Sequence, residues 1–437
     1  MKAMSVFPGG SVTTVDPSLE TNATDRSANG VAASTPASPV RLSRTAGLVA
    51  QNAEQVHIRG LRGPAGCGKS FALTTRAARL VAVGKRVLIL SFNQTLASRL
   101  RHLVEERCAE SGADPSFVTC TNFHTFCATV VDDAVAAGLD IPEPTRGTWP
   151  IRIVQKTIAA FDAGYERSFD AVLVDEGQDF TVGWWNLLRH HVVRPDGEML
   201  LSFDPTADLY GKQSWNDAEQ LHAAGFDEPW IEMSAAYRMA PEIIESTNRF
   251  VEKYLPDAGQ VPEVPDDQAA VVGHVSRAVR RWRNIDRVAD LGATIGEEVV
   301  TLLTGRADLS PRDVVFLCEY HHDGIAAAAV IESAGFPVHH VYSRDPDERQ
   351  QRKRQFSPDA DAVKGCTVHS FKGWESPAVV LGLGMEKRSR RLAYTSMTRV
   401  SSTSGSDSSY LVVVNADLRL ADFRPTFETG ATLPPPG

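Results

Sequence analysis

Short runs of consecutive apolar residues recur along the chain. Arg86-Val87-Leu88-Ile89-Leu90-Ser91-Phe92 is one, bounded by Gly84-Lys85 and Asn93. Phe169 to Val174 and Glu198 to Phe203 are others, and they run into Asp175-Glu176 and Asp204. An apolar run without polar alternation predicts a strand buried on both faces, as in parallel sheets. Val56 to Leu61 and Phe117 to Cys120 read as shorter strands. Between them the pattern predicts helices over Phe71 to Val83, Gln94 to Ser111 and most of 127–165, with a Pro-rich break at 142–150. The second half repeats the theme. Strands are expected at Asp313 to Glu319, Val338 to Tyr342, Gly365 to His369, Ala378 to Leu383 and Tyr410 to Asn415. Helices fall between several of them, notably Ile325 to Ala334 and Arg388 to Thr398. Alternating strands and helices, with polar residues gathered where strands end, predict a parallel α/β fold with its site at that edge. A domain junction is expected near residues 225–235.

Composition narrows this picture. The chain has 437 residues, enough for two to four domains at ~150 residues each. No run of about 18 apolar residues occurs, so no membrane span is expected. A basic region followed by an apolar core is missing at the N-terminus, so no secretory signal is read there. Cysteines 67, 108, 120, 127, 318 and 366 form no Cys-x-x-Cys pair. That argues against zinc and a disulfide framework, and for a reducing, cytoplasmic setting. Three His-His pairs lack partners at ligand spacing, so no metal site is read from them. The net charge of −9 does not exclude nucleic acid, because a local basic groove decides binding. Arg277 to Arg287 and Arg349 to Arg354 are basic runs that read as solvated helix faces. Residues 1–40, rich in Ser, Thr, Ala, Pro, Gly and Asn, are expected to be disordered. A short helical lead-in over Arg41 to Gln55 and a loose Pro-rich tail over 428–437 complete the outline.

Two stretches carry chemistry. Gly63-Pro64-Ala65-Gly66-Cys67-Gly68-Lys69-Ser70 fits the phosphate-binding template of Gly, four free positions, then Gly-Lys-Ser/Thr, between a strand and a helix. Glycines there let backbone N–H groups face an anion, and the helix N-terminus adds positive potential. Lys69 would reach the outer phosphates, and Ser70 would hold Mg²⁺. Cys67, a free thiol in that loop, is expected to make the site sensitive to alkylation. Asp175-Glu176, at the end of a buried strand, supplies the second piece. Nucleotide hydrolysis needs one carboxylate for Mg²⁺, here Asp175, and one to polarise water, here Glu176.

From Asp175-Glu176-Gly177-Gln178-Asp179 onward the chain resembles the superfamily 1A, UvrD/Rep-like DNA helicases, whose motif reads Asp-Glu-x-Gln-Asp. Ser91 to Ala97 resembles motif Ia and Thr121 to Phe126 motif Ib. Phe203-Asp204 through Leu209-Tyr210 resembles motif III, and Ala236-Tyr237-Arg238 motif IV. Thr367 to Glu375 resembles motif V and Arg391 to Arg399 motif VI. All stand in the family's order. The resemblance implies two tandem RecA-like P-loop domains with parallel sheets and ATP in the cleft between them. They would span 41–230, with a small helical insertion at about 101–165, and 231–427. It implies that Arg238 and Arg399 stabilise the transition state, Tyr237 stacks on adenine, Glu375 contacts ribose and Gln178 senses the terminal phosphate. Phe92, Asn93, Phe123, His124, Tyr210, His369 and Lys372 would face single-stranded DNA, with Trp215 the loosest match. Trp184-Trp185 read as packing. The implied activity is ATP-driven 3′–5′ translocation on single-stranded DNA.

The chain departs from the family in two ways. Ala207 stands where motif III usually has glutamine, which removes a contact expected to link ATP state to DNA grip. The insertions are small, and no room remains for a nuclease domain. A translocase, or a poor unwinder working with a protein partner, is therefore expected. The alternative is a nucleotide-dependent switch or partner-activating subunit in a nuclease, repair or phage-defence assembly. RNA as the substrate is a third reading.

Overall fold

A computed structural model describes residues 58–207, 215, 217–227, 229–256, 260–265, 277–357, 360–385, 389–401 and 408–427. The expectations for 1–40, for the lead-in at 41–55, for the tail at 428–437 and for Tyr210 lie outside these residues.

The first half builds one parallel sheet. Its strands are β1 (Ile58–Arg62), β2 (Val87–Ser91), β3 (Val118–Asn122), β4 (Phe169–Val174), β5 (Val193–Phe203) and β6 (Ile231–Glu232). They lie in the order β3-β2-β4-β5-β1-β6, and every pairing is parallel. Every residue of β2 is buried, as its unbroken apolar run requires. Helices α1 (Lys69–Ala82) and α2 (Gln94–Ser111) cover one face through Leu73, Ala77, Leu96, Leu100 and Val104. Helices α3 (Phe123–Ala136), α4 (Trp149–Asp162) and α5 (Val182–His191) cover the other through Phe126, Val130, Ile153 and Trp185. A short α6 (Ala218–Ala223) precedes β6. Residues 231–232 were expected to open the second domain. They instead pair with Leu61 and Arg62 of β1 in the first sheet.

The second sheet comprises β7 (Arg277–Asn284), β8 (Val314–Cys318), β9 (Val338–His340), β10 (Val363–Thr367), β11 (Ala378–Leu383) and β12 (Ser408–Asn415). Its order is β7-β12-β11-β8-β10-β9, again parallel throughout. On one face lie α7 (Pro241–Tyr254), α11 (Val368–Phe371), α12 (Ser389–Met397) and α13 (Arg424–Phe427). On the other lie α8 (Leu291–Gly305) and α9 (His321–Ser333). Helix α10 (Pro346–Gln355) buries no residue and carries the basic run 349–354 as a solvated face, as expected.

The run from Arg277 is not a helix face: it forms the edge strand β7. Ala278, Val279 and Trp282 are buried, and neighbouring helices neutralise the arginines. Arg280 donates to the Glu242 carbonyl at 3.1 Å and to Ser246 Oγ. Arg281 and Arg283 pair with Glu298 at 3.3 and 3.0 Å. Charge spacing alone misled here, because it says nothing of what faces the charges.

Both sheets lie in one compact unit, an arrangement consistent with tandem RecA-like domains. The halves meet through the C-terminal ends of the first sheet's strands. Asn93 Nδ2 donates to the His369 carbonyl at 2.8 Å, and Thr95 Oγ1 to the Ser370 carbonyl at 2.8 Å.

Candidate nucleotide site

The Gly63–Ser70 loop joins β1 to α1. Gly66 and Gly68 adopt left-handed backbone, with φ 84° and 95°, conformations that cost little only for glycine. The loop curls around its own lysine. Lys69 Nζ donates to the carbonyls of Gly63 and Pro64 at 2.7 and 2.8 Å. Burial disfavours its charge, but the carboxylates of Asp204, Glu176 and Asp175 hold its pKa above the usual lysine value. The second half closes over the loop: Ala236 and Met239, on either side of Tyr237 and Arg238, pack against Gly66. Tyr237 is half-buried.

The thiol expectation is overturned. Cys67 is 1% exposed, and burial raises its pKa despite nearby Lys69. A buried neutral thiol is a poor nucleophile. The native protein should react with N-ethylmaleimide at Cys67 only as fast as it unfolds, a rate that peptide mapping of alkylated protein would report.

The acids stand at the end of β4. Ser70 Oγ donates to Asp175 Oδ2 at 2.7 Å, and Ser202 Oγ donates to Asp175 Oδ1. Burial first, and the adjacent Glu176 charge second, raise the Asp175 pKa. Glu176 has φ 56°, the only positive φ of a non-glycine among the described residues. Such strain concentrates at functional sites. Burial would raise its pKa, but Lys372, Arg399 and Lys69 outweigh burial and lower it. Gln178 bridges outward: its Nε2 donates to Glu176, and its Oε1 accepts from the Asp204 N–H at 3.0 Å. Behind this turn Trp215 Nε1 donates to the Gly177 carbonyl at 2.7 Å, and Trp215 is 2% exposed. Trp215 is therefore core, not a strand-facing residue.

Lys372 is the largest relocation. Expected on the DNA side, it is buried against the acids. Its Nζ lies 2.9 Å from Asp179 Oδ2 and 3.5 Å from Glu176 Oε2, and donates to the Ala207 carbonyl at 3.2 Å. The Ala207 N–H donates to Asp204 Oδ1 at 3.2 Å. The missing glutamine side chain thus leaves a main-chain link between the motif III and motif V segments. Arg238 pairs with Glu375 Oε1. Arg399 is buried, with Nε donating to the Thr395 carbonyl at 3.0 Å.

At the start of α3, aromatic side chains cluster. Phe123 is fully buried and stacks on Trp184 at 4.7 Å. It is core, because α3 starts there and its first residue points inward. His124, about 100° further round the helix, is half-buried and meets Phe92 at 5.9 Å. Trp185 is fully buried, with Nε1 donating to the Ala224 carbonyl at 2.9 Å. The packing expected of Trp184-Trp185 is what the structure has. Asn93 is occupied in capping α2 and holding His369; His369 is half-buried. Trp149 escaped sequence reading; it is 53% exposed and 6.1 Å from the His124 ring. Ser202 was also missed, although a hydroxyl two residues before Asp204 at a strand end was a usable signal.

Fold and site together define a mixed α/β protein of the tandem RecA-like kind, with a glycine-rich loop and paired acids at the first sheet's edge. Residues 58–143 match the family model of the UvrD/REP helicase N-terminal domain, and the match supports a UvrD-like superfamily 1A helicase. No curated protein matches the chain. The helicase family model implies nucleotide hydrolysis and nucleic-acid binding for the proteins that it describes. Among the described residues, no helix is long and apolar enough to cross a membrane.

Proposed function

We propose that this chain is an ATP-dependent translocase on single-stranded DNA, moving 3′ to 5′, with its motor in 41–232 and the segment that follows. The observation that carries the reading is Lys372. A cation from the second half, just after α11, sits 2.9 Å from Asp179 and 3.5 Å from Glu176 of the first half. Any change in the separation of the halves must change the field on the acid that would polarise water.

The donor set fits ATP with Mg²⁺. Ser70 Oγ against Asp175 Oδ2 is an oxygen pair suited to a hard cation that keeps waters and takes phosphate oxygens as its other ligands. Mg²⁺, when bound, neutralises charge on the phosphates. Lys69 would exchange the Gly63 and Pro64 carbonyls for phosphate. Glu176, ionised through its cationic neighbours, would accept hydrogen bonding from the attacking water. Gln178 would report the outer phosphate to Asp204. Arg238 and Arg399 would stabilise developing charge. Tyr237 would stack on the base and Glu375 would contact ribose. Phe92, His124 and His369 remain the candidates for the strand.

The test is ATP turnover with single-stranded DNA, duplex DNA, RNA or none. Stimulation by single-stranded DNA is expected. Log affinity for it should fall with log salt by about 0.7 per phosphate contacted. Slow turnover indifferent to DNA, with a fixed co-purifying partner, would replace this reading with that of a partner-activating switch.

A further inference from the structure

Arg99 lies on α2, outside the residues assigned above, yet it reaches into the other half. Its side chain is 19% exposed. The guanidinium donates to the Gly373 carbonyl, stands 3.9 Å from Glu375 Oε2 and lies 5.5 Å from the Trp374 ring centre. One side chain thus engages three consecutive residues of the turn after α11. Gly373 has φ 83°, and a Cβ there would stand 2.4 Å from Leu96 Cδ1, one helical turn before Arg99. The turn is therefore pressed onto α2 at two successive levels. Beyond it opens a cavity of about 650 Å³, lined by Arg99, His102, Arg312, Lys364, Trp374 and Glu375. The other oxygen of Glu375 pairs with Arg238. The contacts run Arg99–Glu375–Arg238, from a helix of the first half to the arginine aimed at the nucleotide cleft.

We propose that Arg99 is a positioning residue for ATP turnover: it fixes the Gly373–Glu375 turn against α2, so that Glu375 keeps Arg238 aligned with the Gly63–Ser70 loop. This rests on the ATPase reading above. A planar fork suits the task, since it can grip a carbonyl and a carboxylate while lying on a ring; an ammonium cannot. Loss of the grip leaves the charges present and misplaces them, and a misplacement near 1 Å costs about 10²-fold in rate.

The test measures kcat and KM for MgATP at saturating single-stranded DNA. It compares wild type, Arg99→Lys, Arg99→Ala, Glu375→Gln and the double variant Arg99→Ala/Glu375→Gln. Arg99→Ala should lower kcat about 10- to 100-fold, and Arg99→Lys should stay closer to it than to wild type. The double variant should be no slower than the slower single variant, within about twofold. DNA affinity without nucleotide should not change. A merely structural arginine would lower the melting temperature and leave kcat alone. The inference is overturned if Arg99→Ala keeps kcat within about twofold of wild type, or if the double variant falls by the product of the singles. Should Arg99→Ala fail to fold, Arg99→Lys with and without Glu375→Gln decides by the same comparison. Absence of turnover in wild type would instead defeat the ATPase reading itself.

Discussion

Glu176→Gln is expected to lower ATP turnover by about 10²- to 10⁴-fold while leaving ATP affinity nearly intact. The amide keeps the size and the hydrogen-bond reach of the side chain but cannot take up a proton. Glu176 does not touch the loop carbonyls that hold Lys69, and the Ser70–Asp175 hydrogen bond at 2.7 Å includes no atom of its side chain. The binding half of the site should survive. Steady-state turnover beside equilibrium binding of a fluorescent ATP analogue separates the two effects. Equal losses in both would show that Glu176 shapes the loop instead of serving the chemistry. The side chain is held ionised by Lys372, Arg399 and Lys69 against the effect of burial. Turnover should therefore fall only as pH drops through a pKa lower than an ordinary glutamate's.

Lys372→Ala carries the second large effect. The lysine and Asp179 are each 3% exposed along their side chains, with Glu176 Oε2 3.5 Å away. Removing one partner of a buried ion pair strands the other, at a cost of about 3–5 kcal/mol. The unfolding midpoint in urea should fall accordingly. The carboxyl of Glu176 loses its main positive neighbour, so its pKa rises, and the acid limb of the pH–rate profile moves to higher pH. Lys372→Arg should recover part of the stability and little of the rate, because a guanidinium does not fit the space of an ammonium. An unchanged midpoint and an unshifted acid limb for Lys372→Ala would remove Lys372 from the link between the halves. A surface lysine placed for a DNA backbone would have neither effect; its loss would reduce the salt slope instead.

The residues that were readable without a fold share one property: their role is local. Gly63 to Ser70 form a loop whose conformation depends on two left-handed glycines and on the helix that follows. Asp175 and Glu176 end a strand whose burial is written in Phe169 to Val174. Gln94–Ser111 and Ala378–Leu383 came out at their observed bounds, because a capping asparagine and an unbroken apolar run are local signals. The misreadings involve partners far along the chain. Arg277 to Arg283 resembled a solvated helix face because Glu242, Ser246 and Glu298, which satisfy the arginines, lie 15 to 38 residues away. Phe123 and His124 are adjacent in sequence, and only the start of α3 decided which faces inward.

The sequence by itself determined the α/β class, the loop that can cradle phosphate, the two acids and the order of motifs, since each depends on neighbours within a few residues. Only the tertiary structure decided that Lys372 belongs with the acids 193 residues before it, that Cys67 is shielded, and that Arg99 reaches the Gly373–Glu375 turn. Electrostatic partnership and burial are properties of distance in space, and the chain crosses from one sheet to the other before those distances exist.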